Sequence, residues 1–134
     1  MAEATVALML LTAARQDAKA FSALAGLADI GDAIVGFHAQ QAVEKALKSV
    51  LSAHRVEFRR THDIAELLDL LFDHQLAAPP DADRLDELNP YAVDARYGLL
   101  ELSSELDRQA LAAILVRVLD WAAGSNDQPS STAS

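Results

Sequence analysis

Cysteine is absent from this chain of 134 residues. That excludes disulfides, thiolate zinc sites and cysteine nucleophiles, and it leaves the compartment open on redox grounds, with the cytoplasm as the default expectation. Glycine and proline are scarce, at 5 and 4 residues, so little in the chain interrupts helices. Positive charge is also in short supply: 11 Lys and Arg stand against 20 Asp and Glu, for a net charge of −9. A chain this acidic repels the phosphates of nucleic acid on average, so any contact with nucleotide or RNA must come from a local basic patch. No stretch reaches the roughly 18 apolar residues of a membrane span. The apolar start from Val6 to Leu11 follows Glu3 and meets no basic residue before Arg15, which lacks the basic opening of a signal peptide and reads as helix.

Several chemical signatures are missing too. None of the four histidines has a Glu three residues before it, as a di-iron bundle requires. Gly26 and Gly31 have P-loop spacing, but Asp32-Ala33 stands where Lys-Ser/Thr must follow, so a phosphate would lack its cation. No His-Glu-x-x-His occurs, and neither metal nor cofactor is expected.

What remains is a chain with 51% hydrophobic residues, enough to fill the core of one domain. It reads as helices throughout. The first is expected over about 4–24, with Val6, Met9 or Leu10, Ala13, Asp17, Ala20 or Phe21 and Leu24 as its inner stripe. Leu8 and Leu11 lie off that stripe and are candidates for a two-fold interface. A second helix runs from Asp32, as N-cap, to His54. Its wide apolar arc, Val35, Ala39, Ala42, Val43, Ala46 and Val50, befits a central helix. The third has the clearest period, with Ile64, Leu67, Leu68, Leu71 and Phe72 on one face, and Asp63 and Glu66 resemble a capping box. Pro79-Pro80 breaks the chain, Asp81 caps a short helix through Leu88, and Asn89-Pro90 ends it. The last helix spans about 105–123 with Leu111, Ile114, Leu115, Val118, Leu119 and Ala122 inward, and Gly124 stops it. The expected fold is all-α, an up-and-down bundle of four long helices plus a short extra helix. The bundle occupies 1–124, and 125–134 is a Ser/Asp/Pro tail expected to be disordered.

Four features carry candidate chemistry. His38, Gln41, Lys45 and Lys48 share one face of the second helix. Two ammonium groups, an amide and an imidazole there suit a phosphate or carboxylate, while the plainer reading is a solvated face. Gln40 points into the apolar arc, where a bond to a neighbouring helix would satisfy it. Asp17 sits inside the first helix's apolar stripe and calls for a cation, Lys45 or Arg96, in a structural pair or in a site. The loop from His54 to His62 is the one basic island. Its Arg55, Arg59, Arg60 and His62 suit phosphate, and Phe58 suits either base stacking or the core. Finally, Tyr91, Arg96 and Tyr97 lie in a non-repetitive stretch that either clamps a long connection or reaches a ligand.

Three segments together resemble a known family: Phe37-His38-Ala39-Gln40-Gln41-Ala42-Val43-Glu44-Lys45-Ala46-Leu47-Lys48, then Arg60-Thr61-His62-Asp63-Ile64-Ala65-Glu66-Leu67-Leu68, then Tyr91-Ala92-Val93-Asp94-Ala95-Arg96-Tyr97. In this order they are similar to the HEPN domain (higher eukaryotes and prokaryotes nucleotide-binding), over nearly the whole chain. The resemblance implies an all-α bundle that often forms homodimers, and a role with nucleotide or RNA. It also implies a small nucleotidyltransferase partner encoded alongside, as a toxin–antitoxin couple. Active members of the family are metal-independent ribonucleases with an Arg followed within a few residues by a His near the last long helix. Here Glu101, Leu102 and Ser103 stand where that His would follow Arg96. Arg55 and His62 have the spacing, but they lie before the third helix. Two readings stay open. One is a nucleotide- or RNA-binding protein using Lys45, Lys48, Arg59, Arg60, Arg96 and Tyr97, supported by Asp17, His38, Gln41 and Tyr91. The other is a ribonuclease with Arg55 and His62 as catalytic residues. A purely structural dimer is the third possibility.

Overall fold

A computed structural model describes residues 2–92 and 106–126, with side chains from Thr5 onward. Its helices are α1 (Ala2–Ala25), α2 (Asp32–Ala53), α3 (Ile64–Asp73), α4 (Ala82–Leu85) and α5 (Arg108–Asn126), and α4 leads directly into a 3₁₀ turn at Asp86–Leu88. Among the described residues there is no strand. The all-α bundle expected from the sequence is the fold observed.

Helix α2 is central and packs against α1, α3, α5 and the 3₁₀ turn. Val35, Ala39, Ala42, Val43, Ala46 and Val50 are all buried, as their spacing predicts, joined by Leu47 and Leu51. Full burial of each large aliphatic side chain stabilises by about 1.5–3 kcal/mol. Leu111, Ile114, Leu115, Val118 and Ala122 complete the core from α5. Asp32 lies beside Arg108 at one end of the bundle, and Ser49 lies beside Asn126 at the other. Helices α2 and α5 therefore run parallel.

The face of α1 differs from expectation. Ala7, Leu11, Ala14 and Phe21 are its buried residues, while Val6 and Met9 are exposed. The real stripe sits about one residue round the helix from the one inferred, because several apolar residues in a row leave the phase undetermined. Leu11 is consequently core and not interface, whereas Leu8 remains exposed. Phe72 of α3 likewise points outward, 82% exposed. The ten-residue helix turns only Ile64, Leu67 and Leu71 fully inward.

The caps also depart from the sequence reading. Gly31, not Asp32, is the N-cap of α2. The Asp32 carboxylate instead accepts from the Leu106 amide at 3.1 Å and from Arg108 Nη2 at 2.8 Å. Burial raises its pKa, but these donors outweigh that and hold it below its ordinary value. The Arg108 guanidinium also donates to the carbonyls of Ala25 at 3.1 Å, Leu27 at 3.3 Å and Ile30 at 2.6 Å, tying the α1–α2 connection to the start of α5. At α3, Asp63 accepts from the Ala65 amide, but Glu66 does not return the bond. Asn89 completes this cap from a distance, accepting from the Ile64 amide and donating to Asp63, each at 2.9 Å. Asn89 and Pro90 open a helical stretch that includes Tyr91 and Ala92 rather than ending one. Proline fits the first turn because no amide is needed there. Asp81 adopts a left-handed backbone without a capping bond, and its carboxylate accepts from Arg117 at 3.0 Å. Helix α5 begins at Arg108, later than expected, and passes through Gly124 to Asn126. The rest of the expected tail, 127–134, is outside the described residues.

Candidate functional site

The polar face of α2 is the site's floor. His38, Gln41, Lys45 and Lys48 all lie there, half-buried, as helical spacing requires. They divide between two carboxylates. On the α1 side, Asp17 accepts from Lys45 Nζ at 2.7 Å and lies 3.2 Å from His38 Nδ1. The cation required by Asp17 is thus Lys45. The alternative, Arg96, lies outside the described residues, as does Tyr97.

On the α3 side, the acceptor is Glu44, a residue the sequence reading passed over. It is buried, 3% exposed. Its oxygens accept from Lys48 Nζ at 2.8 Å, Gln40 Nε2 at 2.9 Å and Gln41 Nε2 at 3.5 Å. His62 Nδ1 approaches both oxygens, at 3.0 and 3.3 Å. Burial pushes the Glu44 carboxyl up, but the bonds from Lys48, Gln40 and His62 prevail and hold it below its ordinary value. Glu44 is therefore ionised at neutral pH. An ionised carboxylate can only accept, so the neutral His62 ring carries its proton on Nδ1 and its basic nitrogen is Nε2. Gln40, fully buried, also donates to the His62 carbonyl at 3.2 Å and accepts from Gln41 at 2.7 Å. It is satisfied structurally, as expected. A signal for Glu44 was available: Gln40, Glu44 and Lys48 are spaced four apart, the interval at which helical side chains meet.

The basic loop stands beside this cluster. Arg59 binds Glu66 through two bonds of 2.8 Å, and Thr61 donates to the same carboxylate at 3.4 Å. Arg60 is exposed. Phe58 packs partly against the core, and Lys48 Nζ lies 5.7 Å from its ring centre. Arg55 follows the end of α2, in a left-handed conformation with φ 61°. It sits eleven positions beyond Glu44, about 16 Å along the helix axis, so the structure does not bring it into contact with His62. Tyr91 lies elsewhere, buried against Gly36.

Each ammonium group of the ridge is thus matched by an acid, and Arg59 by Glu66. Arg55 and Arg60 make no ion pair among the described residues. Among those residues no cluster of three or more His, Asp or Glu side chains is placed to hold a metal ion. A separate cavity of about 320 Å³ opens between α4, the 3₁₀ turn and α5, lined by Leu85, Leu88, Tyr91 and Leu111 among others. It includes none of the ridge residues.

The class defined so far is an all-α bundle whose central helix carries an ion-paired polar ridge next to an arginine loop. The model of the HEPN domain matches residues 8–125, and the chain belongs to that family. No curated protein and no solved structure matches it. Membership gives the chain a nucleotide- or RNA-related role in general. Among the described residues no helix is long and apolar enough to cross a membrane.

Proposed function

We propose that this HEPN protein binds a nucleotide or RNA along the α2 ridge and the adjoining loop, and that it acts with a small nucleotidyltransferase-domain partner as one half of a toxin–antitoxin couple. The observation that carries the reading is the convergence of Lys48 from α2 and His62 from the loop on one carboxylate, at 2.8 and 3.0 Å. Arg60 stands two residues from His62 without an ion pair among the described residues. Arg59, Lys45, His38 and Gln41 border the same surface, and a phosphate arriving there meets donors already held in place. Arg96 and Tyr97, from the third family-like segment, are part of the proposed binding set and lie outside the described residues.

Calorimetric titration with ATP and with a single-stranded RNA oligonucleotide tests the binding. Lys48→Ala and Arg60→Ala should each weaken it by about tenfold, the effect of losing about 1.4 kcal/mol. Absence of heat with both ligands overturns the reading in favour of a purely structural dimer. Co-expression with the product of the adjacent reading frame tests the partner, and a nucleotidyltransferase that co-elutes supports the couple. The homodimer has its own support in the exposed apolar side chains of Val6, Leu8 and Met9 on α1. A monomer mass by light scattering removes it.

A second reading is favoured by a specific observation. The His62 imidazole is anchored through Nδ1 and 46% exposed, the arrangement of an oriented acid–base group. A metal-independent ribonuclease would use it, with Arg60 nearer than Arg55 to take the phosphate charge. RNA cleavage in EDTA that disappears in His62→Ala supports this reading, and intact RNA refutes it.

A further inference from the structure

We infer that Glu44 is a positioning residue: it fixes the His62 ring with Nδ1 protonated and turns Nε2 into the base that takes the proton from a 2′-hydroxyl of bound RNA. The inference rests on the ribonuclease reading above and deepens it.

Three observations support it. The carboxylate cannot swing away, because Lys48, Gln40 and Gln41 hold it from other directions while the helix buries it. The histidine cannot swing either. Its carbonyl accepts from Gln40 at 3.2 Å and its ring meets both Glu44 oxygens, so backbone and side chain are tied to α2 one turn apart. And the arrangement is costly for mere loop attachment. Taking an ion pair out of water costs several kcal/mol, and an apolar contact would hold the loop as well. A buried anion with one imidazole on its exposed side does what an apolar contact cannot: it selects a tautomer and stabilises the imidazolium that forms when the ring accepts a proton.

The step balances without any group from outside. Nε2 of His62 takes the 2′-hydroxyl proton and the 2′ oxygen bonds to the adjacent phosphorus. The bond from phosphorus to the 5′ oxygen breaks, and that oxygen leaves with a proton from water. The products are a 2′,3′-cyclic phosphate and a 5′-hydroxyl. The hydroxide left behind takes the imidazolium proton and restores the ring.

The test compares the native chain with Glu44→Gln and with the charge-balanced double variant Glu44→Gln/Lys48→Met, which keeps the fold if loss of the ion pair alone unsettles it. Nitrogen chemical shifts of the His62 ring, read on the alkaline side where they no longer change with pH, report the tautomer. Cleavage of a single-stranded RNA oligonucleotide in EDTA reports the chemistry. The native ring should be protonated at Nδ1, and both variants should show a mixture, because a glutamine amide either accepts or donates. Cleavage by Glu44→Gln should fall about 10- to 100-fold in kcat with KM held, and the double variant should show the same fall in kcat with KM raised by the loss of Lys48, against the roughly 10²–10⁴-fold loss expected for His62→Ala. A native kcat in both variants, with an unchanged ring spectrum, overturns the role of Glu44 and leaves the ribonuclease reading standing. A native chain that cuts no RNA overturns that reading, and with it the catalytic meaning of the pair.

Discussion

Two residues show how much a single side chain decides in this protein. Gly36 lies inside α2, where glycine costs about 1 kcal/mol relative to alanine. A Cβ there would lie 2.6 Å from Cε1 and 2.8 Å from Cγ of the Tyr91 ring, so glycine is what lets that ring lie on the helix. Gly36→Ala should lower stability by about 1–3 kcal/mol, the usual penalty of overpacking, read from the urea midpoint. Gly124→Ala is the matched control. Nothing lies within 4 Å of its Cβ position, so the same exchange should raise stability by up to about 1 kcal/mol. Glu44 governs acid stability. Its carboxyl is held below the ordinary 4.5, and that of Asp32 below 3.8. The folded state therefore binds fewer protons than the unfolded chain near these values, so the stabilisation is complete above them and drains away as pH falls through the lower folded values. Melting temperature should drop below about pH 4.5, and Glu44→Gln should flatten that acid limb. The sequence exposed Asp17 as an acid in need of a cation, because it interrupts an apolar stripe. Glu44 stayed hidden because it belongs to the polar arc and looks like any surface glutamate until a loop 18 residues away covers it.

At the scale of elements, what was legible is what is local. The periods of α2, α3 and α5 are set by neighbours within two turns, and so the buried faces of α2 and α5 were readable. The phase of α1 was not, since Leu8-Met9-Leu10-Leu11 is apolar all round and the choice of face is made by α2. The Asp63 cap of α3 was legible, but what distant residues add to the caps was not. Asn89 completes the α3 cap across 25 residues, and Arg108 meets Asp32 across 76. The Arg108 contact is also the strongest candidate for a joint between elements. Arg108→Ala removes five hydrogen bonds to Asp32, Ala25, Leu27 and Ile30. The expected loss is about 2–3 kcal/mol, since bonds to charged groups contribute about 1.5–3 kcal/mol each and do not add fully. Hydrogen exchange should localise it: the amides of Leu27 and Ile30, bonded within the connection, should exchange faster while those in the middle of α2 change little.

For the whole molecule, charge is the governing quantity. With a net charge of −9 and its ridge ammonium groups already paired, the chain has few cations to offer a polyanion. Arg55 and Arg60 are the loop's arginines without an ion pair among the described residues. If about two phosphates are neutralised, the logarithm of RNA affinity should fall with the logarithm of salt at a slope of roughly −1 to −2, since each contact contributes about −0.7 on single strands. A slope near −5 would contradict this picture of the surface. The family and the bundle could be inferred from the sequence, because composition, periodicity and three motifs agree. The distribution of paired and unpaired charge over the surface could not, because it depends on which elements meet. One feature at the far end of α5 gives the molecule its own optical reporter. Trp121, the single tryptophan, packs partly against the core with its indole nitrogen out of contact with solvent. Its fluorescence should lie toward the blue in the native chain and move to the red on denaturation, so folding can be followed without a dye.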